Sequence, residues 1–340
     1  MLMGRKPVIT YLLWDTDISG GNRNIFEHIN GLIDRGFRVH CLAHFGGQPN
    51  WFPLNTEVLL IPPFSERIPD TDLVIATYWP TAYEVANLKA DIRLYFVQGF
   101  EPIFSNDSVV HEVAKNTYRL NLKFLCLSKW LQELLERRFG VTSFHVPSGI
   151  NNSLFRVLHP REFKEEGDTQ NILTVLAHFA EWKGIHDLME AARIVKQRRG
   201  NIKFTLISTH EEGPPAIFDT YISNPSQAEL VRQYNLADIF LYPAWVEGFG
   251  MPPLEAMACG APVVLTNSGG VLDFARHNFN SILIPPKNPE IMATEVMKLA
   301  DDRELRIELS KNALATVTDF DWEKIIDRLA DFYEELYHAS

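Results

Sequence analysis

Short apolar runs alternate with amphipathic stretches from one end of the chain to the other, and this rhythm restricts the fold more than any other feature. Residues 8–14, 37–45, 72–79, 93–98 and 123–127 read as strands, and 22–35, 81–89, 108–120 and 129–139 as helices. Ile25, Ile29 and Leu32 fall at i, i+4 and i+7, one face of a helix. Gly36 is placed to stop that helix, because glycine takes the left-handed C′ conformation at little cost. A second series begins near Asn171, with strands at 171–177, 201–208, 238–242 and 262–266 and helices at 186–199, 227–234 and 253–259. Strands that are apolar throughout belong to parallel sheets covered by helices on both faces. The expectation is an α/β chain of two doubly wound, Rossmann-like domains.

A length of 340 residues suits two domains. Between the two series lies 151–170, a polar stretch with Pro160, Gly167 and a charged run at 161–166, which is the linker candidate. The domains expected are 1–152 and 153–320, with 321–340 as a final helix after the helices at 289–300 and 303–316. Ligands of such sheets sit at the carboxyl ends of the strands, and two facing domains make the cleft between them the natural site.

With 32 Lys+Arg against 43 Asp+Glu, the net charge of -11 disfavours nucleic acid as the main partner. No apolar run reaches the ~18 residues needed to span a bilayer. Arg5 and Lys6 ahead of residues 8–14 imitate a secretory leader, but no small-residue cleavage site follows Asp15. Three distant cysteines imply no disulfide framework. The expected location is cytoplasmic. The helix at 129–139 is basic and aromatic enough to rest on the inner face of a membrane, although its stripe of Leu131, Leu134 and Leu135 reads better as a core face.

The sharpest motif is Val246-Glu247-Gly248-Phe249-Gly250-Met251-Pro252-Pro253-Leu254-Glu255. Two carboxylates flank a loop whose glycines let backbone approach a ligand closely. Pro253 suits a first helical position, which puts Glu255 in the first turn of a short helix. The start of that helix can receive a phosphate, and the carboxylates suit sugar or ribose hydroxyls. A helix-capping turn explains the same residues without a ligand. Gly20 and Gly21, between the first strand and first helix, either bare N–H groups to a phosphate or simply make a tight turn. Ser268-Gly269-Gly270 ends a strand in the same manner. Lys183, in His178-Phe179-Ala180-Glu181-Trp182-Lys183-Gly184, either faces a phosphate or is a solvated surface lysine.

At these positions the chain resembles glycosyltransferase family 4, retaining enzymes of the GT-B fold. Glu247-x7-Glu255 carries the likeness, and Gly20-Gly21, Val146-Pro147-Ser148-Gly149-Ile150, Lys183-Gly184, Ser268-Gly269-Gly270 and Asp321-Trp322 follow in the family's order. The resemblance implies an acceptor held by the first domain, a nucleotide-diphosphate sugar held by the second, and a closing helix that returns to the first. It gives Glu255 the ribose hydroxyls and the region at Leu254 the phosphates. It gives Glu247 and the backbone of Gly248, Phe249, Gly250, Met251 and Pro252 the transferred sugar, and Lys183 the leaving diphosphate. It implies neither metal nor cofactor. Acceptors of the family include saccharides, lipid-linked sugars and small molecules. The chain departs from the family at His178, where an arginine is usual, at Gln98-Gly99-Phe100-Glu101, where many members have a histidine, and at 209–213, where the nucleotide loop is usually glycine-rich.

Other chemistries are less well served. Asp15-Thr16-Asp17 and Asp70-Thr71-Asp72 match the metal-binding Asp-x-Asp of another glycosyltransferase fold, but both read better as loop and cap residues. His40, Cys41 and His44 do not complete a metal ligand set, and His111-Glu112 lacks the second histidine of H-E-x-x-H. No G-x-S-x-G elbow or G-x-G-x-x-G fingerprint is present. The rival functions are a non-catalytic GT-B protein that binds nucleotide sugars, which His178 motivates, and a nucleotide-sugar epimerase.

Overall fold

Strand residues with water on neither face are mostly apolar, and the strands Leu73–Ala76, Ile239–Tyr242 and Val263–Thr266, inside the two sheets, are buried along their whole length. The computed structural model describes residues 5–213 and 216–339, which fall into two units. The first runs to Gly149 and takes the chain back from Trp322 onward, and the second is Ile150–Asp321.

The first unit contains β1 (Val8–Leu13), α1 (Gly20–Asp34), β2 (Arg38–Ala43), β3 (Val58–Leu60), β4 (Leu73–Ala76), α2 (Trp79–Asn87), β5 (Ile92–Val97), α3 (Ser108–Asn116), β6 (Lys123–Cys126), α4 (Lys129–Phe139) and β7 (Ser143–His145). Among the described residues these strands form one parallel sheet in the order β3-β2-β1-β4-β5-β6-β7. Central Tyr11 pairs in register with Cys41 on one side and Ile75 on the other. Leu131, Leu134 and Leu135 of α4 are buried, so the apolar stripe of this helix is a core face.

The second unit contains β8 (Gln170–Val175), α5 (Ile185–Arg198), β9 (Ile202–Ser208), β10 (Thr220–Ser223), α6 (Gln227–Leu236), β11 (Ile239–Tyr242), α7 (Met251–Ala258), β12 (Val263–Thr266), β13 (Ile282–Ile284), α8 (Pro289–Asp301) and α9 (Arg303–Val317). Its sheet is also parallel, in the order β10-β9-β8-β11-β12-β13 among the described residues. The polar segment before β8 is fastened to this unit. Phe155 is buried against Tyr234, and Arg161 donates to the carbonyls of Tyr234 and Ala237.

The last helix, α10 (Trp322–Ala339), packs on the first unit, as the resemblance implies. The hydroxyls of Tyr333 and Tyr11 lie 3.0 Å apart, and Phe332 stacks on Phe144 with ring centroids at 3.9 Å. Arg35 of α1 is salt-bridged to Glu323 and Asp327. A Cβ on Gly149 would lie 2.4 Å from the Trp322 ring, so a glycine is required where this helix begins. Among the described residues no helix is long and apolar enough to cross a membrane.

Candidate functional site

In the second unit the chain leaves β8 toward β9 and β10, then returns to lay β11 on the other side of β8. Loops that leave two adjacent strands in opposite directions open a crevice at the strands' carboxyl ends, where ligands of such sheets bind. His178 and Lys183 follow β8, and Glu247 with its glycine loop follows β11.

Backbone contacts bring these loops together. Gly184 has φ +72, and a Cβ there would lie 2.1 Å from the Pro243 carbonyl oxygen, so only glycine allows the approach. The Trp245 N–H donates to the Trp182 carbonyl at 2.7 Å, and its indole donates to Asp187 at 2.6 Å. Held this way, Lys183 Nζ donates to Glu247 Oε1 at 2.5 Å, and the Tyr242 hydroxyl donates to the same oxygen at 2.7 Å. The loop after β12 closes on the other side. The Glu247 N–H donates to the Ser268 carbonyl at 2.7 Å, and the Gly270 N–H to the Glu247 carbonyl at 3.0 Å. A Cβ on Gly270 would lie 2.1 Å from the Gly248 oxygen.

The start of α7 differs from the sequence expectation. Met251 rather than Pro253 is the first helical residue, because Gly250 turns the chain at φ +100, and prolines are tolerated within a first turn. Glu255 therefore falls in the second turn, where it is buried and accepts from the Tyr234 hydroxyl at 2.9 Å. The prolines at the second and third positions supply no N–H, and the Leu254 N–H is directed to Gly250 O at 3.4 Å. The donors for an anion are thus the loop amides. Among the described residues, the N–H groups of Gly248, Phe249, Gly250 and Met251 have no protein partner, although Phe249 and Gly250 are buried. Buried amides left unpaired are rare enough to require an explanation, and a bound oxygen supplies one.

His178 is a neutral neighbour of this group. Burial first, then the positive charge of Lys183, holds its imidazole below the ordinary histidine range. Its Nδ1 accepts from the Ala180 N–H at 3.3 Å, and its ring meets Trp182 edge-on at 5.8 Å. Phe179 stacks on His210 at 4.6 Å, joining the loops after β8 and β9.

In the first unit, Gly20 and Gly21 are the first residues of α1 rather than a loop before it, and Ser19 Oγ caps the helix by accepting from the Asn22 N–H at 3.0 Å. Gln98, after β5, approaches this turn: a Cβ on Gly21 would lie 3.3 Å from its amide nitrogen. Asn24 Nδ2 donates to Gln98 Oε1 at 3.4 Å, and Ser148 Oγ donates to Asn24 Oδ1 at 3.0 Å. Glu101 is buried, accepts from the Tyr95 hydroxyl at 2.6 Å, and is pushed up to about 8 by burial. Asp15 accepts from the Asp17 N–H and from Asn22 Nδ2, both at 3.0 Å, which is turn chemistry. Asp72 binds the Val8 N–H at the opposite, amino edge of the sheet. Among the described residues no three His, Cys, Asp or Glu side chains gather as a metal site. Tyr234 and Tyr242, which hold the motif carboxylates, are the site residues that the sequence reading missed.

Residues 219–316 match the model of glycosyl transferases group 1. The chain is 23% identical over 284 residues to the N,N'-diacetylbacillosaminyl-diphospho-undecaprenol alpha-1,3-N-acetylgalactosaminyltransferase of Campylobacter jejuni, covering 77% of this chain and 73% of that protein. Among solved structures it is similar to a sucrose-phosphate synthase from Thermosynechococcus elongatus, with a TM-score of 0.80 at 17% identity over 99% of this chain and 100% of the other. It is also similar to Anabaena HepE in complex with UDP-glucose, with a TM-score of 0.75 at 16% identity over 96% of this chain and 99% of the other. Over residues 219–316 the chain is therefore similar to glycosyl transferases group 1, and its two parallel-sheet units have the GT-B fold.

Proposed function

We propose that the chain is a retaining glycosyltransferase of family 4, working without metal or cofactor. It moves a sugar from a nucleotide-diphosphate sugar to a saccharide, lipid-linked or small-molecule acceptor. The observation that carries this reading is the Lys183–Glu247 pair joined in sequence to four consecutive unpartnered amides. Positive charge, a fixed carboxylate and bare backbone donors are what an anionic, hydroxyl-rich donor needs.

The diphosphate takes the loop amides and the positive end of α7. Glu255 accepts from ribose hydroxyls, and Glu247 from hydroxyls of the transferred sugar. As the bond from the anomeric carbon to the phosphate oxygen breaks, charge collects on that oxygen and the Lys183 ammonium stabilises it. The acceptor hydroxyl oxygen bonds to the anomeric carbon on the same face, and its proton passes to the departing phosphate. Configuration is kept with no side-chain nucleophile. The protein's contribution is orientation of two substrates and a prearranged charge.

One observation favours a second reading, a nucleotide-sugar binder without turnover. His178 is neutral where the family usually carries an arginine, so one cation beside the diphosphate is missing. Incubation with a panel of nucleotide sugars decides between them. The expected result is slow release of nucleotide from one donor, and transfer with retained configuration once an acceptor is supplied. Tight binding with no release supports the binder, and no binding to any donor sinks both readings.

A further inference from the structure

The two motif carboxylates are each held by a buried tyrosine. The Tyr242 hydroxyl donates to Glu247 Oε1 at 2.7 Å, and the Tyr234 hydroxyl donates to Glu255 Oε2 at 2.9 Å. Seven residues separate the tyrosines, as seven separate the glutamates. The pairs nest, with Tyr242 and Glu247 inside and Tyr234 and Glu255 outside. Topology accounts for the nesting: Tyr234 is on α6 before β11, Tyr242 ends β11, and α7 follows the loop that turns after β11.

Tyr234 is fully buried and Tyr242 is 2% exposed. A phenol placed this deeply needs a partner for its O–H, and phenylalanine would fill the same space at no such cost. Burial first, then the adjoining carboxylates, push both phenols well above their ordinary acidity. Each therefore stays a donor at any working pH, and each carboxylate faces a fixed O–H. At Glu247 the distribution is uneven. Oε1 receives both Lys183 and Tyr242, while among the described residues Oε2 has no partner.

We infer that Tyr242 and Tyr234 are positioning residues that aim the two carboxylates at the donor. Tyr242 pins one oxygen of Glu247 and presents the other to the transferred sugar, and Tyr234 fixes Glu255 toward the nucleotide half. The inference rests on the transferase reading above. It differs from a purely structural role, in which the hydroxyls only satisfy the core, because it requires the effect of each tyrosine to run through its own glutamate.

Tyr242→Phe and Tyr234→Phe remove one oxygen each and keep the ring. The first should lower kcat about tenfold with donor KM within about twofold, and the second should raise donor KM about tenfold with kcat within about twofold. In a Glu247→Ala background, Tyr242→Phe should change kcat by less than about twofold, since the acceptor it positions is already gone. An equal loss in both backgrounds overturns the inference. A measurement independent of turnover guards against variants that fold poorly. With tyrosine labelled by 13C at Cζ, Glu247→Gln should move the Tyr242 resonance and leave Tyr234 in place, and Glu255→Gln should do the reverse. Resonances that stay still or move together overturn the nested pairing. A wild-type protein that neither binds nor consumes a nucleotide sugar removes the transferase reading and the catalytic half of the inference, while the resonances still decide the pairing.

Discussion

The carboxyl edges of the two sheets are built on different principles. In the second unit the loops that carry Lys183 and Glu247 are fixed at points where backbone leaves no room for a side chain. Added Cβ atoms at Gly184 and Gly270 would both lie 2.1 Å from a carbonyl oxygen. In the first unit Gly20 has open space around it, although a Cβ on Gly46 would lie 2.2 Å from the Thr16 hydroxyl oxygen, and the loops after β1, β2 and β3 leave large apolar side chains in water: Ile18 is 71% exposed, Phe45 48% and Phe64 70%. The family match, residues 219–316, falls wholly in the second unit. Under the proposed function the contrast has a physical reason. A donor of constant chemistry needs one rigid frame of charges and amides, while acceptors vary and are met by a surface that can be changed one side chain at a time.

The strongest way to break this comparison is to remove the charge at the rigid edge. Lys183→Ala deletes the cation facing the leaving group and leaves Glu247 Oε1 with Tyr242 as its remaining donor. Turnover should fall by about 10²–10³-fold, the usual loss when one transition-state charge partner is deleted. Single-turnover kinetics that stay within about threefold of wild type would remove Lys183 from its assigned role.

Glycine substitutions test the two frames sterically. Gly270→Ala forces a methyl group onto backbone that Gly248 cannot move without dragging the Glu247 loop with it. A loss of about 2–4 kcal/mol in urea unfolding is expected, together with loss of donor binding. Gly20→Ala meets nothing within 4 Å at the first position of α1 and should gain up to about 1 kcal/mol. Equal effects at the two sites would mean that the edges do not differ in rigidity.

How much of this was legible in the sequence follows from burial. Inner strands such as β1, β4, β11 and β12 are covered on both faces and appear as unbroken apolar runs. The outer strands β3, β7 and β10, which the reading missed, have only three or four residues with partly exposed side chains; β7 and β10 lack an apolar run, and the run at 58–61 that holds β3 is too short to stand out. At the site, Glu247, Glu255 and the glycine loop were legible because backbone constraints leave a local pattern. The start of α7 was misplaced by two residues because two successive prolines each fit a first turn, and only the φ of Gly250 decides between them. Tyr234 and Tyr242 were hidden for another reason. In sequence they look like core aromatics, and their hydrogen bonds join residues that lie 21 and 5 positions apart.

One buried ionisable group of the first unit differs from the motif carboxylates, and from its own unit's Glu101 with its Tyr95 donor, in having no hydrogen-bond partner among the described residues, and pH tests this. In the second unit Glu247 and Glu255 have tyrosine and lysine donors. In the first, His28 is fully buried among the rings of Tyr11, Phe96 and Trp322, and neither ring nitrogen has a hydrogen-bond partner among the described residues. Tyr11, the titratable neighbour, is itself held well above its ordinary range by burial and stays uncharged. Burial pushes His28 down to about 3, so the folded state binds this proton less readily than the unfolded chain does. The stability involved is fully present above the unfolded value of about 6.5 and is lost as pH falls from there toward 3. At pH 5 the loss is about 2 kcal/mol, from some 1.5 pH units at 1.36 kcal/mol each. His28→Leu keeps the volume and removes the titration, so its advantage over wild type in urea unfolding should be about 2 kcal/mol greater at pH 5 than at pH 7.5. A difference between variant and wild type that does not change with pH would show that protonation of His28 is not what weakens the first unit in acid.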